Sequence, residues 1–175
     1  ITDPVQSGAL RPVWERFGEF FAHLEHTPPG FDVIVDCGRL AAPNTPWPLL
    51  HRADAVLLVM RPSLPGMASA VPILRTLRNQ LIEHGVGTTS LGLLLTGPGD
   101  QPARVVTQEL HNTVVATLPD DPRTAYVLGH GGQVRMNSPL MRAAAKAHPY
   151  LMNHVQTRRA ALQARTGRTG TGPPR

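Results

Sequence analysis

The sequence lacks two features that would mark a secreted or membrane protein. It has a single cysteine, Cys37, so it cannot form an internal disulfide, which is typical of proteins of the reducing cytoplasm. Its longest uninterrupted apolar run, 55–60, has six residues, whereas about 20 are needed to cross a bilayer. We therefore expect a cytoplasmic protein, and 175 residues are enough for one domain with its own core.

Lysine is almost absent as well. Of the 17 basic residues, 16 are arginine and the only lysine is Lys146. A Walker A loop, which binds nucleotide phosphates, requires a lysine directly after its glycines. Lys146 lies instead in Ala-Ala-Ala-Lys-Ala-His-Pro, so this chain has no loop of that type. The opening residues, Ile-Thr-Asp-Pro-Val-Gln-Ser-Gly, are typical of the middle of a protein and lead us to expect a fragment.

Acidic residues are missing from the last third of the chain. Residues 122–175 contain nine arginines and lysines and no acid, whereas residues 1–121 contain 8 arginines and 12 acids. Such asymmetry favours a basic C-terminal tail that contacts nucleic acid or anionic lipid. The alternative is a solvated, arginine-rich end without a specific partner. From about residue 157 the composition is poor in large apolar residues and predicts disorder over 157–175.

The most distinctive segment of the sequence is Phe-Asp-Val-Ile-Val-Asp-Cys-Gly at 31–38. It is short, apolar on both faces and rich in β-branched residues, a pattern typical of a central strand in a parallel sheet. Ligands of open α/β sheets bind at the carboxyl ends of the strands. The sequence therefore predicts a buried strand over 31–36 that places Asp36 and Gly38 at a binding crevice.

The remaining pattern predicts alternating strands and helices. We expect an α/β fold of three layers, a mostly parallel sheet flanked by helices, over residues 1–156. Prolines at positions 12 and 72 are expected in the first turns of their helices, and Pro149 is expected to kink the last one. Strands are predicted at 53–60, 90–96 and 113–118, and helices at 9–26, 63–84, 103–111 and 123–128. A last helix is predicted to begin at Ser138, because serine is a typical N-cap and Pro139 suits the first helical position.

The order of these segments resembles the C-terminal two-thirds of a ParA/MinD-type P-loop ATPase. The resemblance covers about 31–155 and rests on five pieces in sequence. They are Phe-Asp-Val-Ile-Val-Asp at 31–36, Arg-Ala-Asp-Ala-Val-Leu-Leu-Val at 52–59, Leu-Leu-Leu-Thr at 93–96, Leu-Pro-Asp-Asp-Pro at 118–122 and Asn-Ser-Pro-Leu-Met-Arg-Ala-Ala at 137–144. Their order and spacing, rather than any single piece, carry the resemblance, which implies an incomplete P-loop NTPase-like fold.

The family's functional residues can be assigned to matching positions. Asp36 matches the Walker B acid, which would hold Mg²⁺ through water beside the ATP phosphates, with Cys37 and Gly38 in the segment that senses the γ-phosphate. Thr96 ends the strand whose following residue recognises the base. Pro119, Asp120 and Asp121 match a loop that packs on the adenine. The resemblance implies ATP and Mg²⁺ as cofactors of the complete protein.

The sequence departs from the family at two places. Most ParA and MinD proteins have a proline shortly after the Walker B acid, where this chain has Cys-Gly-Arg-Leu at 37–40. This form is more similar to the branch that includes the Tad pilus localisation ATPases, some of which have degenerate nucleotide sites. Near the base, Thr-Gly-Pro at 96–98 replaces the amide found in most ParA proteins.

The resemblance implies an ATP-dependent switch for spatial positioning, in chromosome or plasmid partitioning, septum-site selection or pilus localisation. Such proteins form ATP-dependent homodimers. This chain has no P-loop and no assigned catalytic residue, so we expect no ATP hydrolysis by it alone. The alternative is a non-catalytic localisation scaffold; a receiver domain with Asp36 as phosphoacceptor is disfavoured because no acidic pair precedes it. The basic tail is expected to contact DNA non-specifically rather than insert into a membrane.

Overall fold

A computed structural model of the chain describes residues 4–26, 28, 31–40 and 45–168. These residues fall into two compact units, one containing the residues up to Ala53 together with 75–87, the other containing 54–74 and the residues from 88 onward. Along the chain the elements are α1 (Pro4–His26), α2 (Trp47–Arg52), β1 (Val56–Met60), α3 (Leu64–Glu83), β2 (Leu91–Thr96), α4 (Ala103–Leu110), β3 (Val114–Leu118), α5 (Pro122–His130) and α6 (Pro139–Arg168).

The second unit contains a parallel sheet in the order β1-β2-β3. Val56 of β1 pairs with Leu91, and the register continues to Met60 opposite Leu95. The β2–β3 ladder begins at Leu93 opposite Val114 and shifts between Leu93 and Leu94. Three predicted strands are thus confirmed, as is the α/β class: a small parallel sheet with flanking helices.

The core of this unit lies around β2, the middle strand. Leu93 and Leu95 are fully buried, and α3 and α4 contribute buried side chains to the same unit, among them Leu74 and Val106. Successive residues of β2 are buried, so both of its faces are apolar, as expected of a strand in a parallel sheet covered on both faces. On β1, by contrast, Val59 is exposed and the alternate residues are buried. In the described part of the sheet, β1 and β3 are the edge strands.

The predicted strand over 31–36 is not formed. The segment belongs to the first unit, has no regular secondary structure and is exposed, with Ile34 at 89%. Among the described residues, its backbone makes no backbone–backbone hydrogen bond. A strand requires a neighbouring strand to pair its N–H and C=O groups, and no described strand pairs with this segment. The prediction of a buried central strand is therefore wrong, although the apolar pattern that suggested it is real.

The long helices differ from prediction in their extents. Helix α1 begins at Pro4 and α3 at Leu64, so Pro12 and Pro72 lie inside these helices rather than in their first turns. Each proline lacks the N–H that would bond to the carbonyl four residues earlier. Helix α5 ends at His130 instead of Leu128, because Gly131 adopts a left-handed conformation (φ 75°) and its N–H bonds to the Val127 carbonyl.

Helix α6 begins as predicted but continues further. The Ser138 hydroxyl accepts a hydrogen bond from the Met141 N–H at 3.4 Å, and the helix runs to Arg168. Disorder was predicted from residue 157, and for 157–168 this prediction is wrong. Arg158, within that stretch, is buried and lies 3.8 Å from the Asp54 carboxylate. The remaining part of the predicted tail, 169–175, lies outside the described residues.

No described helix is long and apolar enough to span a bilayer.

Candidate functional site at the carboxyl edge of the sheet

The three parallel strands end at one edge of the sheet, where their connecting loops meet. Met60 at the end of β1 pairs with Leu95, and Thr96 at the end of β2 pairs with Leu118 at the end of β3. The structure therefore brings Thr96 and the Pro119–Asp121 loop to adjacent strand ends. This is the position at which open parallel sheets bind ligands.

The loop after β2 packs closely against the turn after β1. The Gln101 N–H donates to the Pro62 carbonyl at 2.9 Å. A Cβ added to Gly99 would overlap the same carbonyl oxygen, so only glycine allows this approach. Gly97, directly after Thr96, has φ 78°, a conformation in which side chains are strained. The glycines in Thr-Gly-Pro-Gly thus determine the shape of this edge.

Asp121 holds the loop after β3 in place. One carboxylate oxygen accepts from the Thr124 N–H at 3.1 Å, which caps α5. The other oxygen accepts from the Thr124 hydroxyl at 2.8 Å and from the Leu140 N–H, in the first turn of α6, at 3.3 Å. Asp121 therefore joins the beginnings of two helices. Its carboxylate is engaged in the fold, so only the backbone of this residue is available to pack on a ligand.

These hydrogen bonds make the contribution of Asp121 to stability dependent on pH. The bonds from Thr124, together with smaller contributions from Leu140 and Arg123, lower the pKa of Asp121 below its usual 3.8. A carboxyl with a lowered pKa in the folded state stabilises the fold above its unfolded-state pKa and loses this effect as the pH falls through the folded value. Asp121→Ala should therefore lower the melting temperature at pH 7, and the difference from wild type should shrink towards pH 3.

Thermal unfolding of both proteins by circular dichroism at pH 7 and pH 3 measures this effect. Asp120→Ala is the matched control, because Asp120 is exposed and precedes the helix cap. It should melt like wild type at both pH values. A difference between Asp121→Ala and wild type that stayed constant with pH would contradict the role of the charged carboxylate.

The other predicted site residues lie in the first unit. Asp36 is exposed, and its Oδ1 accepts a hydrogen bond from the Gly38 N–H at 2.8 Å, while Gly38 adopts φ 62°. This local turn is typical of aspartate followed by glycine. The Cys37 thiol is half-buried; its burial, followed by the charge of Asp36, raises its pKa, so it is neutral at pH 7 and a poor nucleophile. The predicted nucleotide-binding residues are thus divided between the two units.

In the described part of the chain, no three histidine, cysteine or acidic side chains form a group that could hold a metal ion. A single exposed carboxylate such as Asp36 still fits Mg²⁺ bound through water, since Mg²⁺ retains most of its hydration shell and needs few protein ligands.

One residue at the carboxyl edge was missed by the sequence analysis. Arg61 directly follows β1, and its side chain lies beside Gly97. No motif marks it, since an arginine before a proline occurs in many sequences. Only the pairing of β1 with β2 shows that the two positions are neighbours.

Comparisons with protein-family models, with curated proteins and with solved structures find no match to this chain.

Proposed function

We propose that this chain is the C-terminal part of a ParA/MinD-like ATP-dependent switch protein, and that the carboxyl edge of its sheet binds the base of the nucleotide. One observation supports this most directly. Thr96 and the Pro119–Asp121 loop, separated by more than twenty residues in sequence, lie at the ends of two paired strands. The resemblance assigns both to base recognition, and neighbouring strand ends allow one ligand to contact both.

In this proposal the second unit binds the base of the nucleotide. The backbone of the loops at 96–99 and 119–121 packs on the adenine, and Asp121 maintains the loop through its helix caps. The resemblance assigns Asp36, Cys37 and Gly38 to the phosphates and the metal of the complete protein. Mg²⁺ would neutralise phosphate charge when bound. Without a P-loop lysine, the chain is expected to bind ATP weakly and not to hydrolyse it.

A non-catalytic scaffold remains the second candidate. The position of Asp36 favours it, because this carboxylate lies in an exposed segment outside the described sheet and bonds to its own turn. A protein that used this fold only for localisation would need no ordered metal acid. The ATP-dependent switch and the scaffold differ in whether the carboxyl edge binds a nucleotide.

Photo-crosslinking with 8-azido-ATP and Mg²⁺, followed by peptide mapping, separates these candidates. We expect saturable labelling of peptides containing 96–99 or 119–121, suppressed by excess ATP and less by excess GTP. We also expect no phosphate release above buffer in a parallel assay with residues 1–175. Labelling that spread evenly over the surface would favour the scaffold, and phosphate release by this chain would contradict the expected inactivity.

The partners implied by the family remain proposals: an ATP-dependent homodimer, and non-specific DNA bound through basic C-terminal residues. The ion pairs and exposure of α6 indicate which basic residues are available for DNA. Arg158 and Arg159 both pair with Asp54, whereas Arg142 and Lys146 are exposed on α6. Phosphate contacts would therefore involve the first half of α6 as well as the chain end.

A further inference from the structure

Arg61 lies where β1 meets the carboxyl edge. Its carbonyl accepts a hydrogen bond from the Ser63 N–H at 2.9 Å and lies so close to Gly66 that a Cβ there would overlap it. Its side chain crosses Gly97: the Cγ and Nε atoms lie 3.6 Å from where a Cβ on Gly97 would sit. The turn after β1 thus fixes the backbone of Arg61, and the aliphatic part of its side chain lies over Gly97.

The guanidinium end of Arg61 is exposed and forms no ion pair with any described residue. Two acids of the neighbouring loops are already engaged. Asp121 caps two helices, and Asp100 accepts a hydrogen bond from the Gln101 side chain at 3.0 Å. An arginine that has no ion-pair partner among the described residues can bind an anion without first breaking an existing ion pair.

We propose that Arg61 binds the phosphate groups of a nucleoside di- or triphosphate at the carboxyl edge. This inference rests on the proposed nucleotide site and adds the residue that recognises phosphate there. Guanidinium is planar and donates two parallel hydrogen bonds to phosphate oxygens. Arg61 follows the strand adjacent to β2, whose end carries Thr96, so one ligand could contact the base loops and Arg61 together. In a chain without a Walker A lysine, Arg61 takes over part of that lysine's charge neutralisation.

Competition against a fluorescent ATP analogue, measured by anisotropy with Mg²⁺ present, tests this assignment. We expect Arg61→Gln to weaken binding of ATP and ADP by about tenfold or more, the usual range for a hydrogen bond to a charged group. Competition by adenosine should be unchanged, since it has no phosphate. Inorganic pyrophosphate should displace the probe from wild type but much less from Arg61→Gln. Arg61→Lys, which keeps the charge but loses the planar fork, should have an intermediate affinity.

Arg75→Gln is the matched control, because Arg75 is an exposed arginine of α3 and belongs to the first unit, whereas Arg61 belongs to the second. It removes the same charge and should bind ATP like wild type. If Arg61→Gln binds ATP as tightly as wild type, or loses no more than Arg75→Gln, the role of Arg61 is overturned while the nucleotide site stands. If wild type itself binds no nucleotide, both the site and the role of Arg61 fail.

Discussion

Replacing Leu93 with alanine should lower the free energy of unfolding by about 3 kcal/mol, within the range of about 2–5 kcal/mol for buried leucines. Leu93 is 0% exposed in the middle strand of the sheet. Truncating it removes apolar contacts and leaves a cavity that paired strands on both sides prevent from collapsing. Since small proteins are stable by only about 5–15 kcal/mol, the variant would lose a large share of its stability.

Urea unfolding followed by circular dichroism measures this loss as a lower midpoint with an unchanged slope. Leu128→Ala is the control, since Leu128 lies on α5 and is 52% exposed. Its effect should stay within about 0.5 kcal/mol, as for other surface positions. Equal losses in the two variants would show that β2 is not the centre of the core.

The second large effect is expected at Asp54, which pairs with Arg158 and Arg159 of α6. The side chain of Arg158 is 6% exposed and that of Asp54 34%. Burial lowers the pKa of Arg158, and the charge of Asp54 opposes this shift. Asp54→Asn would remove this counter-charge from beside the buried guanidinium. Breaking a fully buried pair costs about 3–5 kcal/mol; because a third of Asp54 is exposed, we expect about 2 kcal/mol.

Trypsin provides a local measurement beside urea unfolding, because it cleaves after arginine. In wild type the bonds after Arg158 and Arg159 should resist cleavage, and in Asp54→Asn they should be cut several times faster. Arg159→Gln removes the more exposed partner of the same carboxylate and should cost no more than about 0.5 kcal/mol, as exposed pairs do. If Arg159→Gln destabilised the protein as much as Asp54→Asn, the buried pair with Arg158 would not be what holds α6.

The elements that the sequence predicts correctly are those whose partners lie nearby in the chain. β1, β2 and β3 alternate with helices, so their apolar runs, turns and parallel pairing can be derived from pattern alone. The segment at 31–36 has an equally strong pattern, yet it is exposed. The pattern of apolar residues indicates which side chains a segment would bury as a strand. The strand itself forms only where a second strand can hydrogen-bond to its backbone.

For the same reason, only some residues of the candidate site could be predicted from the sequence. Thr96 and Asp121 follow apolar strands, and the end of a strand can be located from sequence. Arg61 has no such signal, because its importance depends on the neighbouring Gly97, which the strand pairing brings beside it. The helical course of 157–168 was missed because its composition is that of a solvated segment. What holds it is an ion pair with a residue about one hundred positions earlier in the chain.

That distance along the chain has a consequence for biosynthesis. Asp54 and Arg159 are separated by 105 residues. A ribosome that adds about 5–20 residues per second needs roughly 5–20 s to travel between their codons. During this interval Asp54 has been synthesised, whereas Arg158 and Arg159, which pair with it, have not. The second unit thus completes its long-range contacts only after α6 has been synthesised, and nascent chains that stop before residue 158 would lack both ion pairs of Asp54.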